Sequence, residues 1–191
     1  YTCPMVATVL PSGQSLRVCL GPMLDRISDP EFFEFCRRNP DLRIERTAEG
    51  EIIVMSPTGS DTGRRNFNLT VAFGSWVERD GTGVGFDSST GFSLPNGAKR
   101  SPDLSWIPRS RWDALSDDQK REFAPICPDF VVELLSTRDS LGALEEKMRE
   151  FMENGARLGW LIDPGERTVT VYRPDRQPER LDRPTSISGE S

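Results

Sequence analysis

Glu133 stands where a negative charge is costly. It lies in the middle of the apolar run from Phe130 to Leu135, a pattern typical of a central strand covered on both faces. An isolated charge buried there must be paired, protonated or bound to a metal ion. The plainer alternative is a Glu at the end of the strand that pairs with an Arg side chain. The position therefore predicts a functional carboxylate, with a structural ion pair as the other interpretation.

Asp103 supplies a second carboxylate near the start of another predicted strand, Leu104 to Ile107. Pro102 holds the chain extended just before it, which places Asp103 at the mouth of that strand. Taken alone, such an Asp is more often a turn or capping residue. Together with Glu133 it offers the hard oxygen ligands that Mg²⁺ or Mn²⁺ prefers. A metal ion there would polarise a phosphodiester and lower the pKa of an attacking water.

Two further side chains complete the candidate set. Lys147 lies three residues after Leu144 and four before Phe151, so it borders the apolar stripe of a predicted helix and its ammonium can stabilise developing charge. The alternative is a surface Lys that pairs with Glu150. Glu51 opens a predicted strand and is a candidate auxiliary residue, with an exposed strand-start Glu as the alternative.

Composition narrows the chemistry. The 191 residues fit one domain, and 36% hydrophobic with 28% charged residues indicate a globular chain. There is no histidine, and the four cysteines show no CxxC spacing, which counts against zinc sites and excludes His-dependent catalysis. No apolar run approaches the roughly 20 residues that span a bilayer. Scattered cysteines suit a reducing compartment, so we expect a cytoplasmic protein without a membrane partner.

The net charge of −6 is unfavourable for binding nucleic-acid phosphates. Local patches can still be basic, and the candidate phosphate contacts are Lys99, Arg100 and the pair Arg64-Arg65.

The elements that must position these residues alternate between strands and helices. We predict a helix starting at Ser28, a hairpin of Leu42 to Arg46 with Glu51 to Met55, a helix from Gly63 to Glu78, and a helix capped by Ser140. The second helix carries an apolar stripe of Leu69, Ala72, Phe73, Trp76 and Val77. The order predicts an α/β (mixed α+β) fold. We divide the chain into an N-terminal extension (1–27), one domain (28–173) and a flexible C-terminal tail (174–191).

Several blocks resemble the Uma-two family of restriction-endonuclease-like proteins. They are Arg100-Ser101-Pro102-Asp103, the segment 128–136, Lys147 and the segment 159–164. The resemblance implies a PD-(D/E)XK fold, a mixed central sheet flanked by helices, with metal ligands at Asp103 and Glu133. The superfamily pattern places a Lys two residues after Glu133, where this chain has Leu135. A helical Lys replaces it in some members, and Lys147 fits that role.

We therefore expect a DNA endonuclease that uses Mg²⁺ or Mn²⁺ and, by analogy, acts as a homodimer. One alternative is a non-catalytic nucleic-acid or protein-binding module that keeps the fold, which the acidic net charge favours. Another is a glycosidase, which also uses two carboxylates. Aromatic residues make up only 8% of the chain, which counts against a sugar-binding cleft.

Overall fold

A computed structural model describes residues 6–8, 16–19, 27–55, 57–137 and 139–188. Their strands form two six-stranded sheets. The first sheet has the order β1-β2-β4-β3-β7-β6, formed by Val6–Thr8, Leu16–Cys19, Ile52–Met55, Arg43–Arg46, Lys99–Arg100 and Phe92–Ser93 respectively. The second sheet has the order β12-β11-β10-β9-β8-β5, formed by Glu179–Asp182, Thr168–Tyr172, Leu158–Asp163, Phe130–Leu134, Leu104–Pro108 and Gly83–Asp87. The helices are α1 (Asp29–Arg38), α2 (Ser60–Asp80), α3 (Arg109–Asp113), α4 (Asp117–Arg121) and α5 (Leu141–Glu153).

The second sheet is mixed. Its β9 and β10 strands run parallel, and its other neighbours run antiparallel. Every residue of β9 is buried, because α5 covers one face and α2 the other. Met148 and Phe151 of α5 pack with Val131, while Leu69 and Phe73 of α2 pack with Val132. The predicted mixed fold with flanking helices is confirmed, with two sheets in place of one.

The first sheet holds the predicted hairpin, β3 with β4 in antiparallel register. One of its faces is apolar and packs on α1, where Ile44 and Ile52 surround the fully buried Phe32. The start of α1 is fixed by a capping box, since the Ser28 amide donates a hydrogen bond of 2.8 Å to the Glu31 carboxylate. The alternation of β3 sends Arg43 and Glu45 to the opposite face.

The α5 helix begins where the sequence predicts. Ser140 Oγ accepts a hydrogen bond from the Ala143 amide, and the residues from Leu141 to Glu153 include no β-branched side chain. Gly155 follows the helix with φ of 106°, a left-handed conformation that suits glycine. This helix carries Lys147 on its buried face.

Two expectations need correction. The predicted loose tail contains an edge strand, β12, which pairs with β11 from Thr168↔Asp182 to Val171↔Glu179. The stripe predicted on α2 is narrower than expected, because Ala72 and Trp76 are exposed while Leu69, Phe73 and Val77 are half-buried. In the predicted N-terminal extension, β1 and β2 join the first sheet beside β4. The division into three parts stays a prediction.

Candidate metal and phosphodiester site

Glu133 lies on β9, and Asp103 lies one residue before the neighbouring strand β8. The two strands pair antiparallel as Leu104↔Val132 and Ser105↔Val131, so Asp103 follows directly beyond the last pair, at the same end of the strands as Glu133. Besides burial, the charge of Asp103 raises the pKa of Glu133, so the two carboxylates lie close enough to interact. Asp103 is fixed there because its Oδ2 accepts a hydrogen bond of 2.9 Å from the Leu134 amide. The fold therefore brings both carboxylates to one edge of the second sheet.

Glu133 is buried, with 3% of its surface exposed. Lys147 of α5 reaches it, and Nζ lies 2.7 Å from Glu133 Oε1. That oxygen nevertheless receives no well-directed hydrogen bond, so the contact is an ion pair without hydrogen-bond geometry. Burial raises the pKa of Glu133 to about 7, aided by the charges of Asp103 and Glu45 and opposed by Lys147. The alternative interpretation, an ion pair between Glu133 and an Arg, is wrong about the cation, because the residue that pairs with Glu133 is Lys147.

Glu45 of β3 is the central residue that sequence reasoning missed. Its Oε1 accepts hydrogen bonds from Lys147 Nζ at 2.8 Å and from the Ser101 amide at 2.9 Å. Its Oε2 pairs with Arg100 Nη1 at 3.2 Å. Burial alone would raise the pKa of Glu45, but Lys147 and Arg100 outweigh it and lower that pKa. Glu45 is therefore an ionised carboxylate that holds Lys147 in place.

Lys147 is charged in this setting. Burial disfavours its ammonium, but Glu133 and Glu45 more than offset that cost and raise its pKa. It also donates to the Ser101 carbonyl at 3.2 Å. The alternative of a surface Lys paired with Glu150 is wrong, because Glu150 pairs with Arg100 instead.

Arg43, also on β3, balances Asp103. Its Nη1 lies 3.2 Å from Asp103 Oδ1, and its Nη2 donates to the Ser101 carbonyl at 2.7 Å. Burial opposes its charge, but Asp103, Glu133 and Glu45 raise its pKa. With side-chain exposure of 32%, Arg43 is the cation of this network that is most open to solvent.

The positive charge is unevenly shared among the carboxylates. Glu45 contacts both Lys147 and Arg100, whereas Glu133 shares Lys147 with it. This sharing explains why the pKa of Glu45 is lowered and that of Glu133 is raised, although both are fully buried. Of these two buried carboxylates, Glu133 is thus the one whose charge is less compensated.

A cleft of about 960 Å³ opens on this network. Its walls come from the polar face of the first sheet, from the edge of the second sheet and from α5. Glu51 lies in its lining beside the hairpin turn, where its amide donates to Thr47 Oγ1 at 3.2 Å. The rest of the charged lining is mostly acidic: Asp41, Glu49, Asp139, Glu146 and Glu153, against the basic Arg149. The cleft attracts cations more readily than anions.

Two of the predicted phosphate contacts lie in the interior. Lys99 has 3% exposure and pairs with Asp29 at 2.8 Å, so it ties α1 to the first sheet. Arg100 is also buried, between Glu45 and Glu150. Because both side chains are buried and paired, neither the Lys99 ammonium nor the Arg100 guanidinium is exposed to solvent, where it could contact a phosphate.

The donor set fits a hard divalent cation that completes its shell with solvent or substrate oxygens. Asp103 and Glu133 supply two carboxylates close enough to interact, and Glu133 Oε1 shares the Lys147 ammonium with Glu45. Mg²⁺ is commonly held by one or two carboxylates with water and phosphate oxygens. Within residues 27–55, 57–137 and 139–188, no group of three or more Asp, Glu, Cys or His side chains is gathered to hold a metal ion by itself.

The comparisons with known proteins agree with this fold. A family profile, Uma2, described as "Putative restriction endonuclease", matches residues 29–191. The chain belongs to the Uma2 family. Its fold is also similar to the crystal structure of a "putative nuclease belonging to DUF820" from Anabaena variabilis ATCC 29413, with a TM-score of 0.70 and 26% identity over 86% of this chain and 89% of that one. No curated protein matches the chain.

Membership in Uma2 and the nuclease neighbour support a nuclease function for this chain. The Uma2 resemblance predicted from the segments around Asp103, Glu133 and Lys147 is confirmed at the level of the family. Among the helices that the structure describes, none is long and apolar enough to cross a membrane.

Proposed function

We propose that this Uma2 protein is a divalent-metal-dependent DNA endonuclease that hydrolyses phosphodiester bonds. The observation that carries the proposal is Glu133, a buried carboxylate whose charge is only partly compensated, beside the Asp103 carboxylate, which accepts a hydrogen bond from the amide of the next residue on β9, Leu134. A bound divalent cation would stabilise the negative charge of these two carboxylates, and Mg²⁺ or Mn²⁺ is the kind of cation that binds to carboxylate oxygens.

Asp103 and Glu133 would hold the ion, which when bound polarises the phosphodiester and makes water more acidic. The acidic lining of the cleft supports this role, because a DNA phosphate approaching it needs added positive charge. Ionised carboxylates bind metal, so binding favours deprotonation of Glu133.

Lys147 would stabilise the charge that develops on the phosphate in the transition state. Glu45 is the positioning residue for it, since it fixes Nζ at 2.8 Å and is itself held by Arg100 and the Ser101 amide. Arg43 is the candidate for contacting a substrate phosphate, because it is the more exposed cation. Glu51 is a candidate auxiliary residue at the wall of the cleft.

The test pairs cleavage with metal binding. Purified protein is incubated with plasmid and with single-stranded DNA, in Mg²⁺, Mn²⁺ or EDTA, and Mn²⁺ binding is measured separately by titration calorimetry. We expect Asp103→Asn and Glu133→Gln to lose both cleavage and Mn²⁺ binding. Glu146→Gln is the matched control, an exposed carboxylate of α5 in the same cleft that should change neither.

A second candidate is a non-catalytic module that binds nucleic acid or protein. It is favoured by the ion pairs that already balance the carboxylates, Lys147 with Glu133 and Arg43 with Asp103. Wild-type protein that is folded but neither binds Mn²⁺ nor cleaves DNA would favour this module over the nuclease.

A further inference from the structure

The outward face of α2 has unusual chemistry for a solvent-exposed surface. Seven exposed residues recur there at spacings of three and four, which places them on one side of a helix. We name this set the α2 outer stripe; it consists of Arg64, Phe67, Asn68, Val71, Gly74, Ser75 and Glu78. The inner face of α2, with Leu69, Phe73 and Val77, packs toward the second sheet.

Two large apolar side chains in the outer stripe are open to water. Phe67 is 68% exposed and Val71 is 52% exposed, one helical turn apart. Removing such a pair from water is favourable by about 25 cal/mol for each Å² of apolar surface covered. No described residue covers these two side chains, so a partner that buries them would gain this hydrophobic free energy on binding.

Gly74 points to the same conclusion. A Cβ atom built at Gly74 meets nothing within 4 Å, so the chain's own packing does not require glycine there. Glycine inside a helix costs about 1 kcal/mol relative to Ala. A surface that approaches the helix closely at this point would account for the missing side chain.

The stripe is complementary to itself. If two copies of α2 pack antiparallel across a twofold axis at Val71, each residue meets the one equally far beyond the axis. Arg64 then faces Glu78 of the second copy, which pairs opposite charges. Phe67 faces Ser75 and its neighbour Gly74, which places the largest side chain over the smallest.

We propose that the α2 outer stripe is the dimer interface of this protein and that its partner is a second copy of the chain. The charge order along the stripe favours that partner, since Arg64 and Glu78 have opposite charges and meet across the twofold axis. The surface Arg64–Asp61 pair, at 3.1 Å with both side chains 65% exposed, is weak enough to rearrange. Because Thr62 and Asn66 line the cleft near the start of α2, the dimer would carry one cleft at each end of the helix pair.

A single helix pair makes a small interface, so the dimer should be reversible, with a dissociation constant on the order of 10 µM. Sedimentation velocity of the full chain across 1–200 µM would measure it without any reference to nuclease activity. We expect Val71→Asp, which places two like charges on the axis, to abolish the dimer. Leu141→Asp on α5, also at an exposed apolar residue, is the matched control and should leave the dimer intact.

A charge exchange tests the antiparallel register. Arg64→Glu and Glu78→Arg should each weaken the dimer several-fold, and the double variant R64E/E78R should recover it. Both changes suit the helix dipole, so they leave α2 folded, which circular dichroism checks. A wild-type chain that is monomeric at 200 µM would overturn the proposal. So would a dimer that survives Val71→Asp, or a double variant no stronger than the single ones.

Discussion

The ionisation of Glu133 should make folding stability fall as pH rises. Burial raises its pKa from 4.5 to about 7 in the folded protein, and that change corresponds to about 3 kcal/mol. A carboxyl whose pKa is raised on folding binds its proton more tightly in the native state. Its favourable contribution is therefore present below pH 4.5 and is lost between pH 4.5 and about 7. The metal-free protein should be less stable at pH 8 than at pH 5.

Replacing Glu133 by Gln removes this titration and leaves Lys147 paired with Glu45. Between pH 5 and pH 8 the wild type should lose about 2–3 kcal/mol of unfolding free energy relative to Glu133→Gln. Urea unfolding in EDTA at both pH values measures the difference between the two proteins, so other titrating groups cancel. Glu146→Gln serves as the control, because that exposed side chain is hydrated before and after folding. If the wild type and Glu133→Gln change in parallel with pH, Glu133 is not an under-compensated carboxylate and the reasoning fails.

The remaining predictions concern the buried network and the close contacts of two glycines. Glu45→Ala should lower the unfolding free energy by up to about 3–5 kcal/mol, because it removes one of the two carboxylates that pair with each of the buried cations Lys147 and Arg100; a loss under about 1 kcal/mol in urea unfolding would show that Glu133 and Glu150 compensate them without it. Gly83→Ala should cost about 1–3 kcal/mol, since its Cβ would lie 2.2 Å from the rigid Trp106 ring. Gly159→Ala should cost less in the same assay, because the closest atoms to its Cβ, at 2.3 and 3.1 Å, are the ends of the flexible Met148 and Met152 side chains. An equal loss in both glycine variants would contradict this distinction.

The elements that sequence predicted well carry strong local signals. A few consecutive residues are enough to recognise three of them: the cap at Ser28, the hairpin of β3 and β4, and the apolar run of β9. The strand β12 was missed because Glu179–Asp182 contains one apolar residue, and it is held by pairing with β11 instead of by burial. Such an edge strand cannot be read from hydrophobic pattern alone.

For the candidate site, the sequence predicted Asp103, Glu133 and Lys147, which the fold brings together, but not Glu45, which pairs with Lys147. The reason is that charged residues on one face of a short strand normally indicate a solvent-exposed face. Glu45 is buried only because α5 closes over it from the other end of the chain. The apolar Ile44 next to Glu45 could have indicated that Glu45 is buried. Ile44 shows that one face of the strand is buried, and the other face of such a strand can be covered too.

The long separation along the chain between the members of this network has a consequence for protein synthesis. Lys147 and Glu45 lie 102 positions apart, and Arg43 and Asp103 lie 60 apart. Contacts between such distant segments form late in folding and only after both segments have left the ribosome. A nascent chain that ends before α5 has Glu45 and Asp103 but no Lys147 to join them. The proposed DNA-cutting chemistry would therefore be withheld until α5, which carries Lys147, has left the ribosome.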